Sequence, residues 1–253
     1  MLEHININSI IAIAKNAGDA IMEIYAKDFT IEFKDDKSPL TEADTKANEI
    51  IVKGLENLAV KLPILSEEGK AIAYDERKGW EYFWMVDPLD GTKEFVKKND
   101  EFTVNIALIY QNTPVLGVVY APALGDMYYA KQGSGAFKNS ISLPIHSNKT
   151  PERSLTVVAS KSHLSEETEV FIDMLKADTK ELTFVSKGSS LKLCMVAEGS
   201  ADIYPRLAPT MEWDTAAADA IVREAGKMSY QYENNNSMKY NKENLLNPWF
   251  IVR

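Results

Sequence analysis

The sequence predicts a mixed α/β protein whose first half is α+β and whose second half alternates helix and strand. Three observations carry that reading. Residues 102–130 break into the apolar runs FTVNIALIY, PVLGVVY and DMYYA, separated by turn residues, which is the pattern of an antiparallel meander. Beyond residue 155, strand-like and helix-like stretches take turns, as they do in α/β units. Between the two regions NSISLPIHSNKTPERS (139–154) is polar, holds two prolines and has no sustained period, which places a junction between residues 1–150 and 151–253.

The elements follow in order. Ile10, Ile13, Ala14, Ala17, Ile21, Ile24 and Tyr25 keep helical spacing, so the chain opens on an amphipathic helix. Phe29, Ile31 and Phe33 alternate as in a strand, and Ala47, Ile50, Ile51, Leu55 and Leu58 return to helical spacing. Two apolar runs then end on acids: Pro63 to Leu65 stops at Ser66-Glu67-Glu68, and Tyr82 to Val86 stops at Asp87-Pro88-Leu89-Asp90-Gly91-Thr92, where proline and glycine force a turn. The meander turns at Gln111-Asn112 and Leu124-Gly125. In the second half, strands are expected at 155–159, 182–185, 201–204 and 249–252, and helices near 165–176, 189–198 and 214–225. Residues 231–244 (QYENNNSMKYNKEN) read as a mobile surface loop.

Composition excludes several classes of function. The chain has 253 residues, 45% of them apolar, enough for a substantial core. The 37 acidic residues outnumber 28 basic ones, and the net charge of −9 disfavours broad binding to nucleic acid or anionic membrane. With one cysteine and three histidines, neither an intrachain disulfide nor a Cys/His zinc cluster can be assembled. The expected setting is reducing and cytoplasmic, with no targeting or transmembrane segment. Peripheral membrane association and the choice between monomer and homodimer stay open.

Five acids stand out: Asp44, Glu67, Asp87, Asp90 and Asp214. Those at strand ends would crowd negative charge beside a core, and bound cations would relieve it. Oxygen donors suit hard ions, which favours magnesium over zinc. Each acid also has a plain structural reading. Thr41-x-x-Asp44 reads equally as a helix capping box, Asp214 as the N-cap of the following helix, and Glu67 as a solvated loop acid. Asp87 and Asp90 belong to a compact strand–turn signature that resists such a reading.

Four segments in order, Asp36 to Asp44 (DKSPLTEAD), Ser66-Glu67-Glu68, Asp87 to Thr92 (DPLDGT) and Trp213 to Ala217 (WDTAA), resemble the signature series of the inositol monophosphatase superfamily over essentially the whole chain. The resemblance implies a layered αβαβα sandwich with its site between the two halves. It implies that Glu67, Asp87, the Leu89 carbonyl, Asp90 and Asp214 hold two or three Mg2+ ions, Asp87 bridging two of them. Thr92 and Asp44 then look like the pair that orients and deprotonates the attacking water, in a two-metal phosphoryl transfer without a covalent phosphoenzyme. Ala218-Asp219 departs from the pattern, since glycine often follows this family's WDxAA.

The extension Lys93-Glu94-Phe95 resembles the bisphosphate nucleotidase branch, as do Ser160 to His163, Gly188 to Cys194 and Tyr204-Pro205-Arg206. This implies removal of the 3'-phosphate of adenosine 3',5'-bisphosphate in the service of sulfur assimilation, with 3'-phosphoadenylyl sulfate a further candidate substrate. Gly91, Thr92, Lys161, His163, Gly188, Ser189, Lys192, Arg206 and Asp214 become the candidate substrate contacts, with Lys192 and Arg206 on the phosphate that is not cleaved. Lys161 reads equally as a surface lysine, His163 as a surface or capping histidine, and Cys194 as core. An inositol monophosphatase or a fructose 1,6-bisphosphatase would share every metal ligand. A haloacid dehalogenase phosphatase would need its two aspartates two residues apart, whereas Asp87 and Asp90 are three apart. A sensor without chemistry would have no use for both Thr92 and Asp44.

Overall fold

A computed structural model describes residues 1–33, 39–145, 154–160, 165–179 and 181–253. The opening helix, α1 (Ile7–Tyr25), buries the stripe Ile10, Ile13, Ala14, Ala17 and Ile21, and Asn6 caps it by accepting from the Asn8 N–H at 3.0 Å. The antiparallel pair β1 (Ile31–Phe33) and β2 (Pro39–Thr41) leads into α2 (Glu42–Glu56). Helix α2 packs on α1 through Ala43, Ala47, Ile51 and Leu55.

These two helices cover one face of a seven-stranded sheet. Its strands are β3 (Ile64–Ser66), β4 (Tyr82–Asp90), β5 (Thr103–Tyr110), β6 (Thr113–Ala121), β7 (Asp126–Lys131), β8 (Ala136–Lys138) and β9 (Ile141–Ser142), in that order, with the short helices α3 (Tyr74–Arg77) and α4 (Thr92–Val96) on either side of β4. Only β3 and β4 run parallel. Alternate residues of β4 explain its unbroken apolar run: Trp84 and Val86 enter the core beneath α1 and α2, while Phe83 and Met85 enter the core on the opposite face.

That opposite face is covered from the second half of the chain, by α6 (Leu191–Glu198) and α7 (Trp213–Glu224). Helix α7 lies so close to β6 that a Cβ on Gly117 would sit 2.0 Å from the Ala217 carbonyl oxygen, so glycine and the alanine run 216–218 permit this approach together. Beyond these helices β10 (Leu155–Ala159) and β11 (Leu182–Ser186) pair in parallel, a bridge from Val157 to Ile203 leads to β12 (Tyr204–Arg206), and β14 (Phe250–Val252) pairs with both β12 and β13 (Ser229–Gln231). Helix α5 (Glu166–Asp178) covers the outer side through Phe171, Ile172 and Leu175. The layers are therefore helix, sheet, helix, sheet, helix, as expected.

Three local expectations need correction. Strand β4 does not stop at Val86 but runs through Pro88 to Asp90, with a register shift between Asp87 and Asp90. Its neighbour β3 ends at Ser66 opposite Val86, so the missing Pro88 N–H leaves no ladder position unfilled on that side. The strand placed at 201–204 instead begins at Tyr204. Residues 232–236 are exposed, but the later part of 231–244 is held to the body of the protein: Met238 and Tyr240 are buried, and Arg77 donates to Asn241 Oδ1 and to the Lys242 and Glu243 carbonyls at 2.7–2.8 Å. Of the junction expected at 139–154, residues 146–153 lie outside those described.

Candidate active site

The parallel pair β3 and β4 brings acids to one edge of the sheet. Glu67 follows β3, its N–H donating to the Val86 carbonyl at 3.1 Å, while β4 carries Asp87 and Asp90 at its end. Helix α7 adds Asp214 from its first turn. Carboxylate oxygens of Glu67, Asp87 and Asp214 lie within 4.8 Å of one another. Asp90 stands beside this trio with Oδ2 committed elsewhere, accepting from Ser189 Oγ at 2.8 Å and from the Ser190 N–H at 2.6 Å. Asp214 is not the N-cap of α7: the helix starts at Trp213, and Asp214 Oδ2 accepts from the Met211 N–H at 2.9 Å.

Burial, reinforced by Glu67, Asp90 and Asp214, raises Asp87 well above the usual carboxylate range. Asp214 is raised well above it by burial and by Asp90. Burial also raises Asp90, against the opposing pull of Lys192, Ser189 and Ser190. Such a set is stable as carboxylates only with added positive charge. All its donors are oxygens, so the trio is of the kind that holds a hard divalent cation.

Asp44 satisfies both of its sequence readings at once, because its two oxygens face different partners. Oδ2 accepts from the Thr41 N–H at 2.8 Å and from Thr41 Oγ1 at 2.7 Å, closing the capping box of α2. Oδ1 accepts from Thr92 Oγ1 at 3.0 Å. The carboxylate is buried, so its orientation is fixed. Thr92 opens α4, after a Gly91 whose φ of 91° lies in the left-handed region, and its hydroxyl also stands 3.3 Å from the Leu89 carbonyl.

Asp90 and Asp214 also line a cavity of about 120 Å³ whose walls include Ser190, Lys192, Tyr204 and Arg206. Lys192 is buried, donates to the Ser189 carbonyl at 2.6 Å, and is brought down to about 8 by burial, partly opposed by Asp90. Arg206 donates through Nη2 to the Pro209 carbonyl at 2.9 Å, and its buried Nε has no partner among the described residues. The Gly188 N–H is already taken by Glu101 Oε2 at 2.7 Å, whereas Ser189 contacts Asp90 and, at 2.6 Å, Thr103. Lys161 and His163 lie outside the described residues. A larger cleft of about 720 Å³ between α1, β1 and α2 contains none of the clustered acids and neither Lys192 nor Arg206.

Several residues at the site were not singled out from the sequence. Thr103 and Asn105, hidden in the apolar run of β5, bond to Ser190 Oγ at 2.8 Å each and hold the start of α6 against the sheet. Their signal is two polar residues two apart, hence on one face of a buried strand. Glu212, fully buried ahead of Asp214, accepts from the Asn241 and Lys242 N–H groups at 2.5 and 3.0 Å and pairs with the Lys242 ammonium.

This constellation has relatives. The profile of the inositol monophosphatase family matches residues 4–247. The chain belongs to that family. The 3'(2'),5'-bisphosphate nucleotidase CysQ of Salmonella typhimurium is 45% identical over 248 residues, covering 97% of this chain and 98% of the relative. The crystal structure of CysQ from Bacteroides thetaiotaomicron, described as a bacterial member of the same family, superposes with a TM-score of 0.88 at 47% identity, covering 97% of this chain and 96% of that one. The Thermotoga maritima IMPase shares the fold with a TM-score of 0.79 at 26% identity, covering 97% and 91%. No described helix of this family member is long and apolar enough to cross a membrane.

Proposed function

We propose that this inositol monophosphatase family member removes the 3'-phosphate of adenosine 3',5'-bisphosphate with Mg2+, giving AMP and phosphate. The observation that carries the reading is the placement of Lys192 and Arg206 in one cavity with Asp90 and Asp214, a cationic wall for a retained phosphate beside an acidic cluster for the one cleaved. Relatedness points the same way, since identity to the Salmonella nucleotidase is 45% and to the Thermotoga IMPase 26%. An inositol monophosphate has no second phosphate for the cations to hold.

Glu67, Asp87, Asp90, Asp214 and the Leu89 carbonyl would hold two or three Mg2+ ions, whose charge would favour ionisation of the attacking water and support the leaving oxygen. The remaining work falls to the chain. Thr92 Oγ1 takes a proton from the water while passing its own to Asp44 Oδ1, 3.0 Å away. Thr41 holds the other oxygen of Asp44, which keeps the acceptor lone pairs aimed at Thr92. Arg206 and Lys192 orient the substrate by the phosphate that remains. The same site suits 3'-phosphoadenylyl sulfate, which keeps the 3'-phosphate, and both substrates fit a cytoplasmic role in sulfur assimilation.

Phosphate release from adenosine 3',5'-bisphosphate, with AMP identified as the second product, tests the reading. Magnesium-dependent release that stops in chelator is expected, with inhibition by lithium that weakens as magnesium is raised. A preference for inositol 1-phosphate or fructose 1,6-bisphosphate would overturn it.

A further inference from the structure

Glu94 is the carboxylate that neither the acid cluster nor the cation wall uses. It lies in the first turn of α4, two residues after Thr92, and its side chain fills the gap between two glycines. A Cβ on Gly91 would stand 3.4 Å from Glu94 Oε2, and one on Gly188 would stand 2.9 Å from Glu94 Cγ. The carboxylate therefore lies alongside the backbone of both segments that frame the site.

Two hollows meet at this side chain. Glu94 and Ser160 line the small cavity that holds Lys192 and Arg206, and they also line a wider cleft of about 390 Å³ running past Glu101, Ser186 and Lys187. Glu101, the other acid of that cleft, is committed through both oxygens, to the Lys187 ammonium at 3.0 Å and to the Gly188 N–H at 2.7 Å. The Glu94 backbone carbonyl accepts from the Asn99 N–H at 3.2 Å, but its carboxylate has no hydrogen bond or ion pair to another described residue. Burial raises it above the ordinary glutamate range, with Asp90 adding to the effect and Lys192 opposing it, so an added hydrogen-bond donor would suit it and a second anion would not.

The inference rests on the nucleoside bisphosphate reading above. In such a substrate the ribose is the one part joined to all three others: the phosphate that is cleaved, the phosphate that is kept, and the base. The acid cluster, the cation wall and the wide cleft likewise converge on one place, the edge formed by Glu94. A ribose there presents one free group next to the scissile 3'-phosphate, its 2'-hydroxyl. We infer that Glu94 accepts a hydrogen bond from the ribose hydroxyl adjacent to the scissile phosphate, and so selects ribonucleoside over deoxyribonucleoside bisphosphates. A carboxylate beside two phosphates would otherwise only repel the substrate, and a hydroxyl between them gives it a favourable contact.

The test compares kcat/KM for adenosine 3',5'-bisphosphate and 2'-deoxyadenosine 3',5'-bisphosphate in the unaltered protein, Glu94→Gln and Glu94→Ala, each at several magnesium concentrations and with a melting curve as a control for folding. A hydroxyl-to-carboxylate bond predicts that the unaltered protein favours the ribose form by roughly tenfold or more. Glu94→Ala should bring that ratio near one, chiefly by slowing the ribose substrate, and Glu94→Gln should lie between. An unchanged ratio in Glu94→Ala would overturn the assignment. Equal loss on both substrates together with a higher magnesium requirement would make Glu94 a cation ligand instead. If the unaltered protein hydrolyses both substrates equally well, the inference fails while the proposed function stands. If it hydrolyses neither, both fall.

Discussion

Replacing Asp44 by Asn separates two roles that the structure assigns to different oxygens of one side chain. The asparagine amide oxygen can still accept from the Thr41 N–H and hydroxyl, now at 2.8 and 2.7 Å, so the cap of α2 survives. The amide nitrogen must then face Thr92 Oγ1, which at present donates to Asp44 at 3.0 Å. Thr92 would turn from donor to acceptor, and the proton it receives from water would have nowhere to go. The cost to the cap is at most about 1 kcal/mol. In a chain of this size that corresponds to a melting shift of about 2–4 °C, and a domain stable by about 5–15 kcal/mol stays essentially fully folded. Loss of a general base costs roughly 10²- to 10⁴-fold in turnover. The two effects differ so widely in scale that folding cannot masquerade as chemistry. The assay is phosphate release at saturating substrate and magnesium, paired with thermal melts. Turnover within a few-fold of the unaltered protein would refute the relay and leave Asp44 as a cap alone.

Three further outcomes follow from the same charges. Asp90→Asn should abolish magnesium-dependent turnover yet raise the melting temperature in chelator, because its amide oxygen can still accept from Ser189 and Ser190 while a buried negative charge is removed; turnover near that of the unaltered protein would remove Asp90 from the site. The raised Asp87, Asp90 and Asp214 carboxylates bind protons more tightly folded than unfolded, so their contribution to stability is full below the ordinary carboxylate pKa near 4 and is lost as pH rises through their folded values. Metal-free protein should therefore gain melting temperature as the pH is lowered from neutral toward mildly acidic, and magnesium should flatten that slope; a metal-free melt that falls over this interval would contradict the electrostatic account. Because Lys192 loses its proton at about 8, KM for adenosine 3',5'-bisphosphate should climb above that pH, as steady-state rates in matched buffers would reveal; a flat KM up to pH 9.5 would place Lys192 away from the retained phosphate.

Legibility in the sequence followed the strength of the local signal. The ends of β3 and β4 were readable because an apolar run met Ser66-Glu67-Glu68 in one case and a proline–glycine turn in the other, and the acids so marked do converge, apart from the side step of Asp90 toward Ser189. The helices α1, α2, α5 and α7 were readable from period and length. Strands β2, β8 and β9, three residues or fewer each, are too short to show an alternation. The stretch 231–244 misled because its asparagines mask what holds it: Tyr240 donates to Asp219 Oδ2 at 3.0 Å, and Asn241 accepts from the Arg77 guanidinium at 2.8 Å. Both partners are distant in sequence. Asp219, noted only as a departure from the family pattern, is ion-paired at 2.9 Å to Arg223 one helical turn on, and that i, i+4 spacing is a local signal for the pair but not for the full burial of its carboxylate. The layered order came from the family resemblance, because periodicity says which face of an element is apolar but not what covers it.

The central claim is that Arg206 and Lys192 select a substrate with a second phosphate. It is tested most directly by kcat/KM for adenosine 3',5'-bisphosphate and for adenosine 3'-monophosphate, which lacks the retained phosphate, in the unaltered protein and in Arg206→Ala. A charge-assisted contact to phosphate contributes ~1.5–3 kcal/mol, or roughly tenfold to a hundredfold. The unaltered protein should prefer the bisphosphate by at least that factor, and Arg206→Ala should lower the rate on the bisphosphate by about that factor while barely changing the rate on the monophosphate. Equal rates on the two substrates, or an equal loss on both in Arg206→Ala, would contradict the account.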